Sequence, residues 1–345
     1  MSLIRLGDFK AFAKFVSFQA LGGITTYYLM NPRVKKEVSS NDLIVTTGCD
    51  SGLGYSIAIH CHDILKMSVV ACVQHFNSKG SLKLKEMYTN SNRFHMVQLD
   101  VTKLDSVKEM KKFVSDLLEK NQNLQLKALV NNAGVMCFGE TEWQTHRIIT
   151  QQIEVNLLGS IRVTKEFLPL VRTHKSRIIN VTSHCGLQSI PGLPIYCASK
   201  AGLKAFNDGL RLDMKKYDID VVNFIPGSFV LQSNITSSQP AFIDEMNGEF
   251  SEEQKSFYGD YFDRYTKALK MFCGDKSPQK VDQLVLESFE EALLENPSKV
   301  LYKCEPIRYK IYHTLFKITP QFVTDWLLYK FVALPEYIPP KSQPS

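Results

Sequence analysis

The amino-acid sequence predicts an α/β protein built on one doubly wound parallel sheet. Two observations carry that expectation. From Leu43 onward, short and continuously apolar runs alternate with longer stretches of helical period. The first run leads straight into a glycine-rich turn, Thr47-Gly48-Cys49-Asp50-Ser51-Gly52-Leu53-Gly54, and then into a helical stretch. Strands that are apolar at every position are covered on both faces, which is what helices crossing between parallel strands produce.

The strand-like runs are Leu43–Thr47, Ser68–Val73, Phe94–Leu99, Ala128–Asn131, Arg177–Thr182 and Val221–Ile225. Helical period is clearest over Ser106–Leu118 and Ile148–Leu170. The pattern defines a single domain over residues 41–300, with no internal repeat. It is preceded by an arm, residues 1–40, that carries six Lys/Arg against two acidic residues. The most apolar part of the arm, Phe15–Met30, is shorter than the about 20 residues a membrane span needs, and polar residues such as Ser17 and Gln19 interrupt it. A targeting segment, a single membrane anchor and a helix packed on its own domain all fit the arm.

Residues 301–345 form a third zone. Ile307, Ile311, Leu315 and Ile318 make one helical stripe, and Phe322, Trp326 and Tyr329 continue it after Pro320. Arg308, Lys310, Lys317 and Lys330 are interleaved. Such a stripe either packs into a core or lies on a membrane surface, and the sequence leaves both open.

Composition excludes several classes. The 345 residues are 44% hydrophobic and 22% charged, enough to bury a full core. A mean hydropathy of −0.13 excludes a polytopic membrane protein. Outside the arm the basic and acidic residues nearly balance, so the electrostatic footprint of nucleic-acid binding is missing. The eight cysteines include no C-x-x-C pair, which suits reduced thiols in an intracellular space. Of the two N-x-[ST] sequons, Asn180 falls inside a strand-like run, which argues against glycosylation there, and the other is at Asn234.

The glycine-rich turn is suited to an anion. Glycines let the backbone turn tightly against a pyrophosphate, and the following helix offers free N–H groups. Downstream come Asp100-Val101, then Asn131-Asn132-Ala133-Gly134 at a strand end, Asn156 in a helical segment and Ser183 after a strand. Tyr196 and Lys200 stand four residues apart on one helix face. There the ammonium favours the phenolate, so the Tyr196 pKa is expected below the ordinary value of about 10. A second Tyr-x-x-x-Lys, at Tyr337 and Lys341, contains two prolines and is not expected to form a helix.

This ordered set, from Thr47-Gly48 to Tyr196-x-x-x-Lys200 and Pro226-Gly227, resembles the short-chain dehydrogenase/reductase superfamily with its Rossmann sheet. The turn Thr47–Gly52 and the tail Pro320–Leu328 resemble the branch of retinol, 17β-hydroxysteroid and 3-hydroxybutyrate dehydrogenases. Segments Asn131–Glu140, Arg177–Gln188 and Val221–Leu231 are similar to insect proteins of ecdysteroid biosynthesis. The resemblance implies a catalytic set of Asn156, Ser183, Tyr196 and Lys200. In it Tyr196 exchanges the proton, Ser183 bonds the substrate oxygen, Lys200 also holds the nicotinamide ribose, and Asn156 holds a water of a proton relay. It implies a nicotinamide cofactor held by Thr47, Gly48, Ser51, Gly52, Leu53, Gly54, Asp100, Val101, Asn132, Ala133, Gly134, Pro226 and Gly227, together with Tyr196 and Lys200.

Several finer expectations follow. The segment Val73–Ser78 offers neither carboxylate nor Arg/Lys, and the missing basic residue points to NAD without excluding NADP. Leu231 stands where the superfamily often has a threonine. No metal is expected, because the neighbours His60, Cys61 and His62 project apart on a helix. His184 and Cys185 follow Ser183 and either face the substrate or pack the loop. Residues 228–262 are expected as an apolar lid, which favours a sterol-like alcohol or ketone, with retinol or 3-hydroxybutyrate as alternatives. A cofactor-binding scaffold without turnover is the alternative of another class. A homo-oligomer and peripheral or single-anchor contact with an endoplasmic reticulum or mitochondrial membrane complete the expectations.

Overall fold

A computed structural model describes residues 32–227, 235–273 and 281–339. The arm up to residue 31 and positions Leu231 and Asn234 therefore lie outside the described residues. Seven strands form one all-parallel sheet: β1 (Asp42–Thr46), β2 (Ser68–Val73), β3 (Phe94–Gln98), β4 (Gln125–Asn131), β5 (Arg177–Val181), β6 (Val221–Ile225) and β7 (Leu301–Lys303). Their order is β3-β2-β1-β4-β5-β6-β7. The chain reverses its direction of travel across the sheet between β1 and β4, so a crevice opens beyond their C-terminal ends.

The six strands expected from the sequence are present. The seventh, β7, lies past the boundary expected at residue 300, so the sheet runs into the segment read as an extension. The helices are α1 (Gly52–Asp63), α2 (Lys79–Tyr88), α3 (Leu104–Lys120), α4 (His146–Ile153), α5 (Ser160–His174) and α6 (Pro194–Lys215). Then follow α7 (Gln239–Glu249), α8 (Glu252–Tyr258), α9 (Tyr261–Cys273), α10 (Gln283–Leu294), α11 (Ile307–Ile318) and α12 (Gln321–Val332). A π-helical turn, Glu154–Gly159, joins α4 to α5.

Alternate side chains of the six longer strands enter opposite cores, and both cores are apolar. Ile44 on β1 packs with α1 and α10 on one face, beside Val69, Val130 and Ile179. Leu43 and Val45 pack with α3 and α5 on the other, beside Val70, Leu129 and Ile178. This is the physical content of the unbroken Val/Ile runs. A third cluster stands above the C-terminal ends of the strands, where Trp143 meets Tyr258, Phe262 and Tyr265 edge-on at ring separations of 5.4, 5.2 and 4.9 Å.

Asn180 is fully buried inside β5, and its carbonyl accepts a bond of 2.7 Å from Asn131 while its amide donates to Asn207. Its amide group is committed to the core. Arg177, at the start of β5, fixes α10 to the sheet. Its guanidinium donates to the Ala292 and Glu295 carbonyls at 2.9 and 2.8 Å and to Asp220 at 2.6 Å. Those carbonyls close a helix C-terminus, where a cation is favoured. Arg177→Ala leaves both carbonyls unbonded and is expected to cost about 2–4 kcal/mol. Urea denaturation measures this; an unchanged midpoint and slope would contradict the assigned role.

Candidate active site

The turn after β1 approaches the turn after β4 more closely than side chains allow. Gly48 has φ +70°, and a Cβ there would sit 2.8 Å from Ala133 Cα. A Cβ on Gly54 would lie 2.3 Å from the Gly48 carbonyl oxygen. Thr47 Oγ1 accepts from the backbone N–H groups of Asn132 and Ala133, both at 3.0 Å. The Asn132 side chain returns the contact, donating to the Thr47 and Gly48 carbonyls at 2.9 and 3.1 Å. Thr47 and Gly54 thus shape the crevice without lining it, whereas Gly48, Ser51, Gly52, Leu53, Asn132, Ala133 and Gly134 form its wall.

The crevice belongs to one cavity of about 910 Å³. It continues past Asp100 and Val101 to Ser183, Tyr196 and Lys200, with Pro226 and Gly227 on the far side. Asp100 is anchored by Thr102, whose N–H and hydroxyl donate to it at 3.0 and 2.7 Å. Burial opposes its charge, but these bonds and Lys103 hold its carboxyl below the ordinary range. Asp50 also lines the cavity, a feature the sequence reading did not single out. Its carboxylate accepts from the backbone N–H of Gln74 at 2.7 Å and of His75 at 3.1 Å. A negative charge therefore stands beside the end of β2 even though β2 itself ends without one. The signal was a carboxylate inside the glycine-rich turn.

Tyr196 and Lys200 lie in the first two turns of α6 and are both buried. Lys200 Nζ donates to the Val181 carbonyl at 2.9 Å and stands 5.9 Å from the centre of the Tyr196 ring. Burial lowers its pKa to about 8. Tyr196 departs from the sequence expectation. Burial, and then the neighbouring Cys185, raise its phenol above the ordinary value, while a bond with Ser183 opposes them. A phenolate in so dry a place loses its hydration, and the nearby cation is itself pushed toward neutrality.

Asn156 occupies the π turn and does not line the cavity. Its side chain is fully engaged: the carbonyl accepts from Val135 N at 2.8 Å, and the amide donates to Val135 O at 2.8 Å and Ser199 Oγ at 2.9 Å. Ser183 precedes a short 3₁₀ turn, and its hydroxyl accepts from Cys185 N at 3.1 Å. His184 and Cys185 both reach the cavity wall. His60 and His62 bond to separate partners, Glu290 at 3.3 Å and Asp63 at 2.7 Å, and so do not converge.

The outer chamber is walled by Phe138, Ile235, Phe242, Leu269, Phe316 and Phe331, among others. Of the side chains expected in the lid, Phe250, Tyr258 and Phe262 surround Trp143 instead of the cavity. The contribution of α11 and α12 to the wall was not legible, because their inward face is Tyr309, His313, Phe316 and Phe331. The stripe seen in the sequence faces mostly outward: Ile307, Ile311, Ile318, Phe322, Trp326 and Tyr329 are exposed, and Leu315 is half-buried.

Comparison with known proteins places these features. The family model for short chain dehydrogenase matches residues 42–241. The chain is 33% identical to rat mitochondrial D-beta-hydroxybutyrate dehydrogenase over 245 residues, covering 70% of this chain and 71% of that protein. It is 32% identical to human short-chain dehydrogenase/reductase family 9C member 7, covering 86% and 91% of the two chains. It is likewise 32% identical to rat retinol dehydrogenase 7, again covering 86% and 91%. Among solved structures, a short-chain dehydrogenase/reductase from Burkholderia phymatum in complex with NAD superposes with a TM-score of 0.64 at 18% identity, covering 82% of this chain and 96% of that one.

Proposed function

The chain belongs to the short chain dehydrogenase family, and from that premise we propose that it is an NAD(H)-dependent oxidoreductase interconverting an alcohol and a ketone on an apolar, sterol-like substrate. The observation that carries this reading is the position of Ser183, Tyr196 and Lys200, where the glycine-lined crevice opens into an apolar chamber. The crevice suits a dinucleotide: its glycines leave no Cβ in the way, and the α1 N-terminus offers free N–H groups to a pyrophosphate. When bound, the nicotinamide ring supplies or accepts the hydride.

The residues do the rest. Tyr196 gives or takes the proton at the substrate oxygen, and Ser183 donates a hydrogen bond to the same oxygen as charge develops there. Lys200 carries positive charge below pH about 8, which stabilises a phenolate at Tyr196 and attracts ribose hydroxyls. The Asn156 side chain is spent on Val135 and Ser199, so any water it holds for Lys200 is held by its backbone carbonyl. An intact set of this kind disfavours a scaffold without turnover. Asp50 supports NAD over NADP, since its carboxylate repels an added phosphate near the end of β2.

Substrate class follows from the chamber. Among the described residues lining it, the only Lys or Arg is Lys200, so it lacks the extra cation a small hydroxy acid would want. A retinoid remains the second reading, favoured by the similarity to retinol dehydrogenase 7. With a panel of sterols and retinol, wild type is expected to turn over a sterol with NAD(H) at least tenfold better than with NADP(H). Tyr196→Phe should lose nearly all turnover, roughly 10²-fold or more, with cofactor affinity little changed. Full activity of Tyr196→Phe, or the opposite cofactor preference, would overturn the reading.

We also propose that the protein docks on an intracellular membrane, of the endoplasmic reticulum or mitochondrion, through α11 and α12. Among the described residues no helix is long and apolar enough to cross a membrane. The exposed Phe322 and Trp326 are flanked by Lys317 and Lys330, a pattern that gains transfer energy in the interface and attracts anionic lipid. Met271 on α9 is 80% exposed yet lines the cavity, so the chamber reaches the protein surface there. Wild type is expected to float with anionic vesicles, and a Phe322→Ser/Trp326→Ser variant to bind them markedly less. Equal flotation of the two proteins, or none for wild type, would reject this surface.

A further inference from the structure

We propose that His184, Glu305 and His313 form a binding site for one divalent transition-metal ion of the zinc class, fastening α11 to the loop that carries Ser183. The three residues are distant in sequence. His184 opens the 3₁₀ turn after β5, Glu305 lies between β7 and α11, and His313 is on the second turn of α11. Parallel pairing of β5 with β6, and of β6 with β7, brings the ends of these strands to the same edge of the sheet.

The spacing of the ligand atoms suits an ion. His184 Nε2 is 3.2 Å from Glu305 Oε1, and His313 Nδ1 is 3.0 Å from the same oxygen. One ligand atom from each residue falls within 4.8 Å of the others. Around a tetrahedral zinc with bonds of about 2.0–2.1 Å, neighbouring ligand atoms stand roughly 3.3 Å apart. Closing the set around one ion requires one imidazole to turn out of its stack on the other, since the lone pairs of stacked rings do not converge. Three protein ligands leave a fourth position for water, on the side of the cavity that both histidines line.

A second observation points the same way. Both ring nitrogens of His184 are buried without a hydrogen-bond partner, because the short approach to Glu305 is off the line a hydrogen bond requires. Such a group calls for a ligand. The two imidazoles are stacked, with ring centres 3.9 Å apart and planes inclined by 27°, a contact that metal binding would exchange for coordination. Two imidazoles and one carboxylate suit zinc, cobalt or nickel better than magnesium or calcium.

Lys303 separates this reading from a plain ion-pair network. Its Nζ lies 3.4 Å from Glu305 Oε1, where it neutralises the carboxylate and repels a cation. Loading the site requires Lys303 to swing outward, so removing its charge must tighten metal binding. A network held only by protons has no such property.

The test uses tag-free, full-length protein stripped with a chelator and titrated with Co²⁺, followed by Zn²⁺ in competition. The expected result is uptake of one ion with the visible absorption of a four-coordinate site and no thiolate charge-transfer band. His184→Ala and His313→Ala should weaken binding roughly tenfold or more, and Lys303→Met should tighten it, with circular dichroism confirming that each variant folds. Absence of one-to-one uptake, a thiolate band, or a Co²⁺ affinity that Lys303→Met leaves unchanged or weakens would overturn the proposal.

Discussion

Burying the ammonium of Lys200 is the constraint around which the site is arranged. The side chain is 3% exposed, and the Val181 carbonyl is its partner at 2.9 Å. A charge held this way is expensive, and the lowering of its pKa from 10.5 to about 8 records that expense. Its surroundings give way to make room. Gly134 has no side chain where a Cβ would press on Asn156 Oδ1 at 3.3 Å and meet Lys200 Nζ at 3.6 Å. The π turn sets Asn156 against the strand-end loop at Val135 and against Ser199, beside Lys200 on α6. The end of β5 therefore supplies both the carbonyl that holds the lysine and, two residues on, Ser183.

The rest of the fold delivers groups to that point. Close contact between the β1 and β4 turns opens the crevice on one side. The Trp143 cluster supports the chamber roof on the other, tied down where Gln239 exchanges two hydrogen bonds with the Phe138 backbone at 2.7 and 2.8 Å. The last strand and α11 return the chain to the same edge, so residues beyond 300 wall a cavity that begins at residue 48.

How much of this the sequence disclosed follows from the range of each interaction. Most of the six longer strands were legible because both faces are buried, which writes apolar runs such as Val69–Val73 and Ala128–Val130; the edge strand Phe94–Gln98 is only partly buried and carries His95 and Gln98. The Lys200 and Tyr196 pair was legible because helical spacing is local. The direction of the Tyr196 shift was not: spacing reports the cation four residues away but not the dryness of the cavity. Leu301–Lys303 is too short for periodicity to register. The stripe at Ile307–Tyr329 was seen, but a stripe does not say which way it faces. Its outward orientation is set by Tyr309, Tyr312 and Phe316, which pack on Phe331 at ring separations of 5.2, 4.9 and 6.2 Å. His184 and Glu305 meet across more than a hundred residues, and no local pattern encodes that.

In the proposed function, the Lys200 ammonium destabilises the fold and is kept for its chemistry. Its folded pKa is below its unfolded value, so the penalty is fully present below pH about 8 and disappears as pH rises toward 10.5. The most direct measurement is the unfolding free energy of wild type and Lys200→Met between pH 6.5 and 10, beside their turnover. Lys200→Met is predicted to be more stable at pH 7 by roughly 1–3 kcal/mol, to lose that advantage as pH rises, and to be inactive throughout. A variant less stable than wild type at pH 7, or a difference that does not change with pH, would contradict the account.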